Sequence, residues 1–155
     1  MISWVEEQTD ILIKQGKKVV LLGGDHSTPL GYIKTLAKNY PDFGILQIDA
    51  HCDLRDAYEG FEFSHASIMH NALKLNSVTS LHQVGIRDFC EDEMNRSQDQ
   101  NKIKIYFDRT LKNKQYQGES WQQICTEIVE KLPQNIYISF DIDGLIPALC
   151  PNTGT

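Results

Sequence analysis

Basic residues are the scarcer charge in this chain of 155 residues, where 15 Lys and Arg face 21 Asp and Glu for a formal net charge of −6. Binding to nucleic acid or to an anionic membrane needs clustered cations, so neither is expected as a partner, whereas a small cationic substrate suits the balance. Apolar runs are short, and none nears the roughly 20 residues of a bilayer-spanning helix. The opening segment, MISWVEEQTDILIKQGKK, is interrupted by Glu6, Glu7 and Asp10 and does not read as a secretory leader. Cysteine is confined to Cys52, Cys90, Cys125 and Cys150, without a CxxC pair. Lacking an export signal, these read as reduced thiols of a cytoplasmic protein rather than as a disulfide framework. A Gly-rich phosphate loop is also missing, which leaves a phosphoesterase reading far behind.

What is present is alternation. Trp4, Val5, Gln8, Ile11 and Leu12 share a helical face that Gly16 would end. Apolar runs at Val19–Leu22, Phe43–Ile48, Leu81–Ile86, Ile103–Phe107 and Asn135–Phe140 read as strands. Helices are predicted over Pro29–Asn39 (Thr28 as N-cap, Pro29 at the first position), Ser64–Leu75 and Trp121–Leu132. The stretch from Arg87 to Lys102 reads as a polar, exposed loop. Short strands alternating with helices predict parallel βαβ units in an open α/β sheet.

Three runs carry chemistry: GGDHS (Gly23–Ser27), DAHCD (Asp49–Asp53) and SFDID (Ser139–Asp143). Each follows a strand-like segment, and ligands of open parallel sheets gather beyond the carboxyl ends of strands. If the strands run on extended, Asp49, His51 and Asp53 project to one side, as do Asp141 and Asp143. With His26 that makes two imidazoles and four carboxylates, the complement of a two-metal site. Packed carboxylates repel, and two divalent cations relieve that cost. Oxygen-rich ligation with some imidazole suits manganese, and adjacent cations make hydroxide available from water near neutral pH. Taken singly, GGDHS also fits a strand-to-helix turn and SFDID a strand running into solvent; the three together favour metal. Cys52 should face away from the ligands and pack in the interior.

In the order GGDHS, DAHCDLRD, SHAS, SFDID and PNTGT, the chain resembles the ureohydrolases, the arginase and agmatinase family, over almost its whole length. The resemblance implies a three-layer αβα fold with a mainly parallel, doubly wound sheet, here one partial domain over residues 1–155 that is incomplete at both ends. It implies one Mn2+ held by His26, Asp49, Asp53 and Asp141 and a second by Asp49, His51, Asp141 and Asp143, with Asp49 and Asp141 bridging. Asp53 and His65 would be catalytic, and Arg55, His65 and Thr153 would contact substrate, with a helix-start histidine exposed to water the lesser alternative for His65. The implied reaction is hydrolysis of a guanidino C–N bond by a metal-bridging hydroxide, in a homo-oligomer. DLRDAYEGFEFSHAS is most similar to the agmatinase branch, implying agmatine to putrescine and urea, in polyamine metabolism. Arg55 would equally pair with a carboxylate, which keeps arginase-type and formimidoylglutamase-type hydrolysis as alternatives. His70 and His82 read as structural. Ile146 stands where the family has aspartate, and the family's downstream guanidinium-binding glutamate is not in the chain. A truncated, non-catalytic metal-binding remnant is therefore a further alternative, and exposed strand edges are expected.

Overall fold

A computed structural model describes residues 1–99 and 101–153, which divide by contact into two units, 1–42 with 53–79 and 43–52 with 80–155. In the first unit, α1 (Ile2–Lys14) packs on α2 (Pro29–Asn39). Gly31 allows the close crossing, since a Cβ there would collide with the Ile2 carbonyl and the Val5 side chain. Thr9 Oγ1 donates to Thr35 Oγ1 (2.8 Å) across the seam, and Thr35 Oγ1 donates on to the Glu6 carbonyl (2.8 Å). Gly16, at φ +71°, ends the first helix where the sequence placed its stop. Thr28 is the N-cap residue of α2 but makes no side-chain capping bond. A single 3-10 turn (His65–Ser67) leads into α3 (Ile68–Leu73), so the helix expected over Ser64–Leu75 is shorter and begins tighter.

The strand expected at Val19–Leu22 is not formed. Residues 17–23 have no ladder partner among the described residues, and Val20 and Leu22 are 90% and 98% exposed. An apolar run becomes a strand only when a neighbour takes up its backbone groups. Here the Val19 carbonyl accepts instead from Tyr32 Oη (3.0 Å).

The second unit holds a four-stranded sheet in the order β3-β2-β1-β4, built from β1 (Phe43–Ile48), β2 (Val78–Ile86, within this unit from Ser80), β3 (Ile103–Phe107) and β4 (Ile136–Phe140). β1 pairs parallel with β4, Ile45 opposite Tyr137 and Ile48 opposite Phe140, and β2 pairs parallel with β3. The expected α/β class with a parallel sheet is thus present. β4 carries exposed Ile136, Ile138 and Phe140. α6 (Trp121–Val129) starts at a capping box, Ser120 with Gln123, and packs through Ile124 and Ile128 onto Leu111, Leu46, Val84 and Tyr106.

Two helices correct the sequence reading. α4 (Glu91–Asp99) lies inside the stretch expected to be loop, and α5 (Asp108–Tyr116) follows β3 directly. Both are polar nearly all round; Leu111 is the buried residue of α5. Hydrophobic periodicity therefore has nothing to register. No helix among the described residues is long and apolar enough to cross a membrane.

Candidate metal centre

In the second unit, β1 stops at Ile48 and delivers Asp49 and His51 just beyond the sheet's carboxyl end. The extended run expected through Asp53 does not persist. Asp53 has φ +53°, a left-handed turn that ends the alternation on which one-sided projection depended. Asp141 likewise caps a 3-10 turn (Ile142–Gly144), so Asp141 and Asp143 are not alternate residues of a strand. The turn still brings Asp143 back to the end of β1.

Asp49, His51 and Asp143 place one ligand atom each within 4.8 Å of one another. His51 Nδ1 lies 3.1 Å from Asp143 Oδ2 and 3.6 Å from Asp49 Oδ1, while His51 Nε2 faces Asp88 Oδ2 at 3.7 Å. Asp141 stands beside the group, its Oδ1 accepting from the Asp143 amide (3.1 Å). Hydrogen bonds that the His51 imidazole donates to Asp143, then to Asp49, push its pKa up to about 10 against an opposing effect of burial. The carboxylates thus call for positive charge between them. Protonated His51 supplies it, and a divalent cation on the same oxygens with neutral imidazole would supply more.

The carboxylates are aimed by residues that sequence reasoning did not single out. Gln47, buried on β1, donates through Nε2 to Asp49 Oδ2 (2.7 Å) and accepts from Gln83 Nε2 (2.6 Å). Gln83 Nε2 also donates to the Cys52 carbonyl (2.6 Å), and Cys52 is buried as expected. The Ala50 amide donates to Asp143 Oδ1 (3.1 Å) and the His51 amide to Asp49 Oδ1 (2.7 Å). Two buried glutamines inside adjacent strands were the available signal, since interior polar side chains need partners.

Gly144 sits against the backbone beneath the site. A Cβ there would lie 2.9 Å from the Asp49 nitrogen and 3.1 Å from its Cα, neither of which is a movable side-chain end. Gly144→Ala is expected to destabilise the chain by about 1–3 kcal/mol through overpacking, read as a lower denaturant midpoint at unchanged slope.

In the first unit, His26 Nδ1 meets Asp53 Oδ2 at 2.8 Å, the carboxylate buried and the imidazole partly so. Asp53 holds its left-handed backbone at a cost on the order of 1–3 kcal/mol, so the surrounding bonds must impose it. His65 is exposed, 3.7 Å from Asp25 Oδ2, and meets the Tyr58 ring edge-on at 5.4 Å. The Arg55 guanidinium also lies 5.4 Å from that ring, so Tyr58 joins the two residues expected to contact substrate. Thr153, in the second unit, donates from Oγ1 to the Cys150 carbonyl (3.0 Å). Gly154 and Thr155 of the PNTGT run lie outside the described residues. His82 is buried and stacked on Tyr106, and burial pushes its pKa down, consistent with a structural role.

Comparison with known proteins agrees with this geometry. The model of the Arginase family matches residues 1–155. An agmatinase of Halalkalibacterium halodurans is 32% identical over 158 residues, which cover 99% of this chain and 50% of that protein. An N(1)-aminopropylagmatine ureohydrolase of Synechocystis is 30% identical over 144 residues, 92% of this chain and 44% of that one. The solved agmatine ureohydrolase of Thermoplasma volcanium superposes with a TM-score of 0.81 at 29% identity, covering 99% of this chain and 49% of its own. The chain spans about half the length of these relatives.

Proposed function

Because the chain belongs to the arginase family, we propose that it carries the metal-binding part of an agmatinase-type hydrolase, one that cleaves the guanidino C–N bond of agmatine into putrescine and urea. The observation that carries the proposal is the convergence of Asp49, His51 and Asp143 within 4.8 Å at the end of β1. Two oxygen donors and one imidazole fit a hard divalent ion, with Mn2+ the proposed cofactor. When bound, such ions lower the pKa of water and polarise the substrate carbon. His26 and Asp53 are the proposed ligands from the first unit, with Asp141 completing the pair of sites and Asp53 also counted as catalytic. Asp49 is oriented by the Gln47 amide, and His51 Nε2 faces Asp88 at 3.7 Å, the outer side on which a supporting group would sit.

For the substrate, His65, Arg55 and Thr153 are the proposed contacts. The net charge of −6 favours a cationic guanidine. Relatives named agmatinase and N(1)-aminopropylagmatine ureohydrolase support a substrate of this kind. We take the whole enzyme to be a cytoplasmic homo-oligomer of polyamine metabolism.

The test is calorimetric titration of the chain with Mn2+, followed by urea release from agmatine, with arginine and guanidinobutyrate as comparators. Ion binding with urea formed from agmatine in preference to arginine is the expected outcome. Binding without urea from any guanidine would support the non-catalytic remnant. An absence of ion binding would remove the metal reading itself.

A further inference from the structure

We propose that His70, which has no assigned role in the site, is a positioning residue that clamps the turn after Asp53 through its pair with Asp56. The inference rests on Asp53 being a metal ligand, as proposed above, and deepens that reading.

Four contacts join residues 53–56 to residues 66–70. The Met69 and His70 amides, which open α3 and have no acceptor within the helix, both donate to the Asp53 carbonyl (3.1 and 3.3 Å). The Arg55 amide donates to the Ala66 carbonyl (3.0 Å). His70 Nε2 closes on Asp56 Oδ1 at 2.9 Å, the ring largely buried and the carboxylate on the surface. Asp53 needs such tethers because its φ of +53° is unfavourable for any side chain. Relaxation of that residue would swing its carboxylate away from His26 Nδ1, now 2.8 Å distant. A pair with one exposed partner adds little to global stability. What it fixes is local: the register between the turn and the start of α3, and through it the aim of Asp53.

The test uses His70→Ala, Asp56→Ala, the double variant, and His70→Arg, whose guanidinium keeps a cationic donor for Asp56. In the metal-free chain, hydrogen exchange of the Met69 amide is expected to quicken at least tenfold in either alanine variant and to return near wild type in His70→Arg. In Mn2+ titrations, affinity is expected to fall about 10- to 100-fold in each alanine variant, the size typical of groups that orient ligands. The double variant should be no weaker than the singles, His70→Arg should recover, and the thermal midpoint should stay close to wild type. Unchanged Met69 exchange in both alanine variants would overturn the proposal, as would weakened binding that His70→Arg fails to restore. Should His70→Ala fail to fold, Asp56→Ala carries the comparison, because its side chain lies at the surface. A wild-type chain that takes up no Mn2+ would defeat the metal reading, and the exchange measurement would still decide the clamp.

Discussion

Asp143→Ala should sharply weaken metal capture by the centre at the end of β1 and, at the same time, return His51 to an ordinary histidine. Asp143 is the largest cause of the raised His51 pKa, ahead of Asp49. Without it the imidazolium keeps only the longer contact to Asp49 at 3.6 Å and the outer one to Asp88 at 3.7 Å. Its pKa should therefore drop from about 10 toward the usual value near 6.5. If Asp143 is the oxygen ligand proposed above, its loss should weaken Mn2+ binding by more than the roughly 10- to 100-fold typical of supporting groups.

The sign of the pH dependence follows. The folded pKa of His51 lies above its unfolded value, so its contribution to the metal-free fold is complete below about pH 6.5 and is lost as pH rises toward about 10. Metal binding runs the other way. The ion competes with one proton on His51, so affinity should rise by roughly tenfold per pH unit below the His51 pKa and then level off. In Asp143→Ala both slopes should flatten above neutral pH. Imidazole NMR titration, denaturation at pH 6 and pH 10, and Mn2+ calorimetry across that range measure all three. Undiminished ion binding, or a His51 pKa that stays near 10, would show that Asp143 is not the organising group.

How much of this was legible in the sequence depends on whether a residue works locally or at a distance. Asp49, His51 and Asp143 could be found because each follows an apolar strand-like run and ligands collect at strand ends. The route by which they converge could not. Strand alternation placed Asp53 on the face of Asp49, but β1 ends at Ile48 and Asp53 turns left-handed. Nothing in DAHCD announces that turn, which is imposed by amides from α3, sixteen residues on. Val19–Leu22 failed for the complementary reason: its composition suits a strand, but pairing is a property of the neighbour. α4 and α5 escaped because tethering by one or two buried side chains leaves no stripe. In α4 the buried Glu93 reaches back to the Cys90 amide (3.0 Å), a polar anchor that a hydrophobic pattern cannot contain. Ile146 stands where the resemblance would put an aspartate. Its side chain is exposed, and its carbonyl accepts from the Leu149 amide (2.8 Å), so local backbone bonding helps define the turn there.

Arg87 is the residue whose importance was least visible, and its removal should have the second large effect. Its guanidinium donates from Nη2 to the carbonyls of Asp143 and Leu145 (the latter at 3.0 Å) and from Nη1 toward those of Gly85 and Gly144 (3.4 and 3.5 Å). Its own amide donates to the Ala50 carbonyl (2.9 Å), so one residue ties the end of β2 to both segments that present the ligands. A planar fork of fixed donors suits this cluster of carbonyls, whereas a lysine offers a single point of charge. Arg87→Met keeps the aliphatic stem and removes every donor. Charged hydrogen bonds contribute about 1.5–3 kcal/mol each, but several of these carbonyls are near solvent and can be rehydrated. The net loss should therefore be about 2–4 kcal/mol rather than the sum of four bonds. Mn2+ affinity should also fall, by about 10- to 100-fold, because Asp143 shares the turn that Arg87 holds. Arg87→Lys should recover part of the stability and less of the affinity, since charge survives but the fork does not. Urea denaturation separates the two contributions from the calorimetric titration. If Arg87→Met unfolds at the wild-type midpoint, the turn is held by its own backbone bonds and the guanidinium is dispensable.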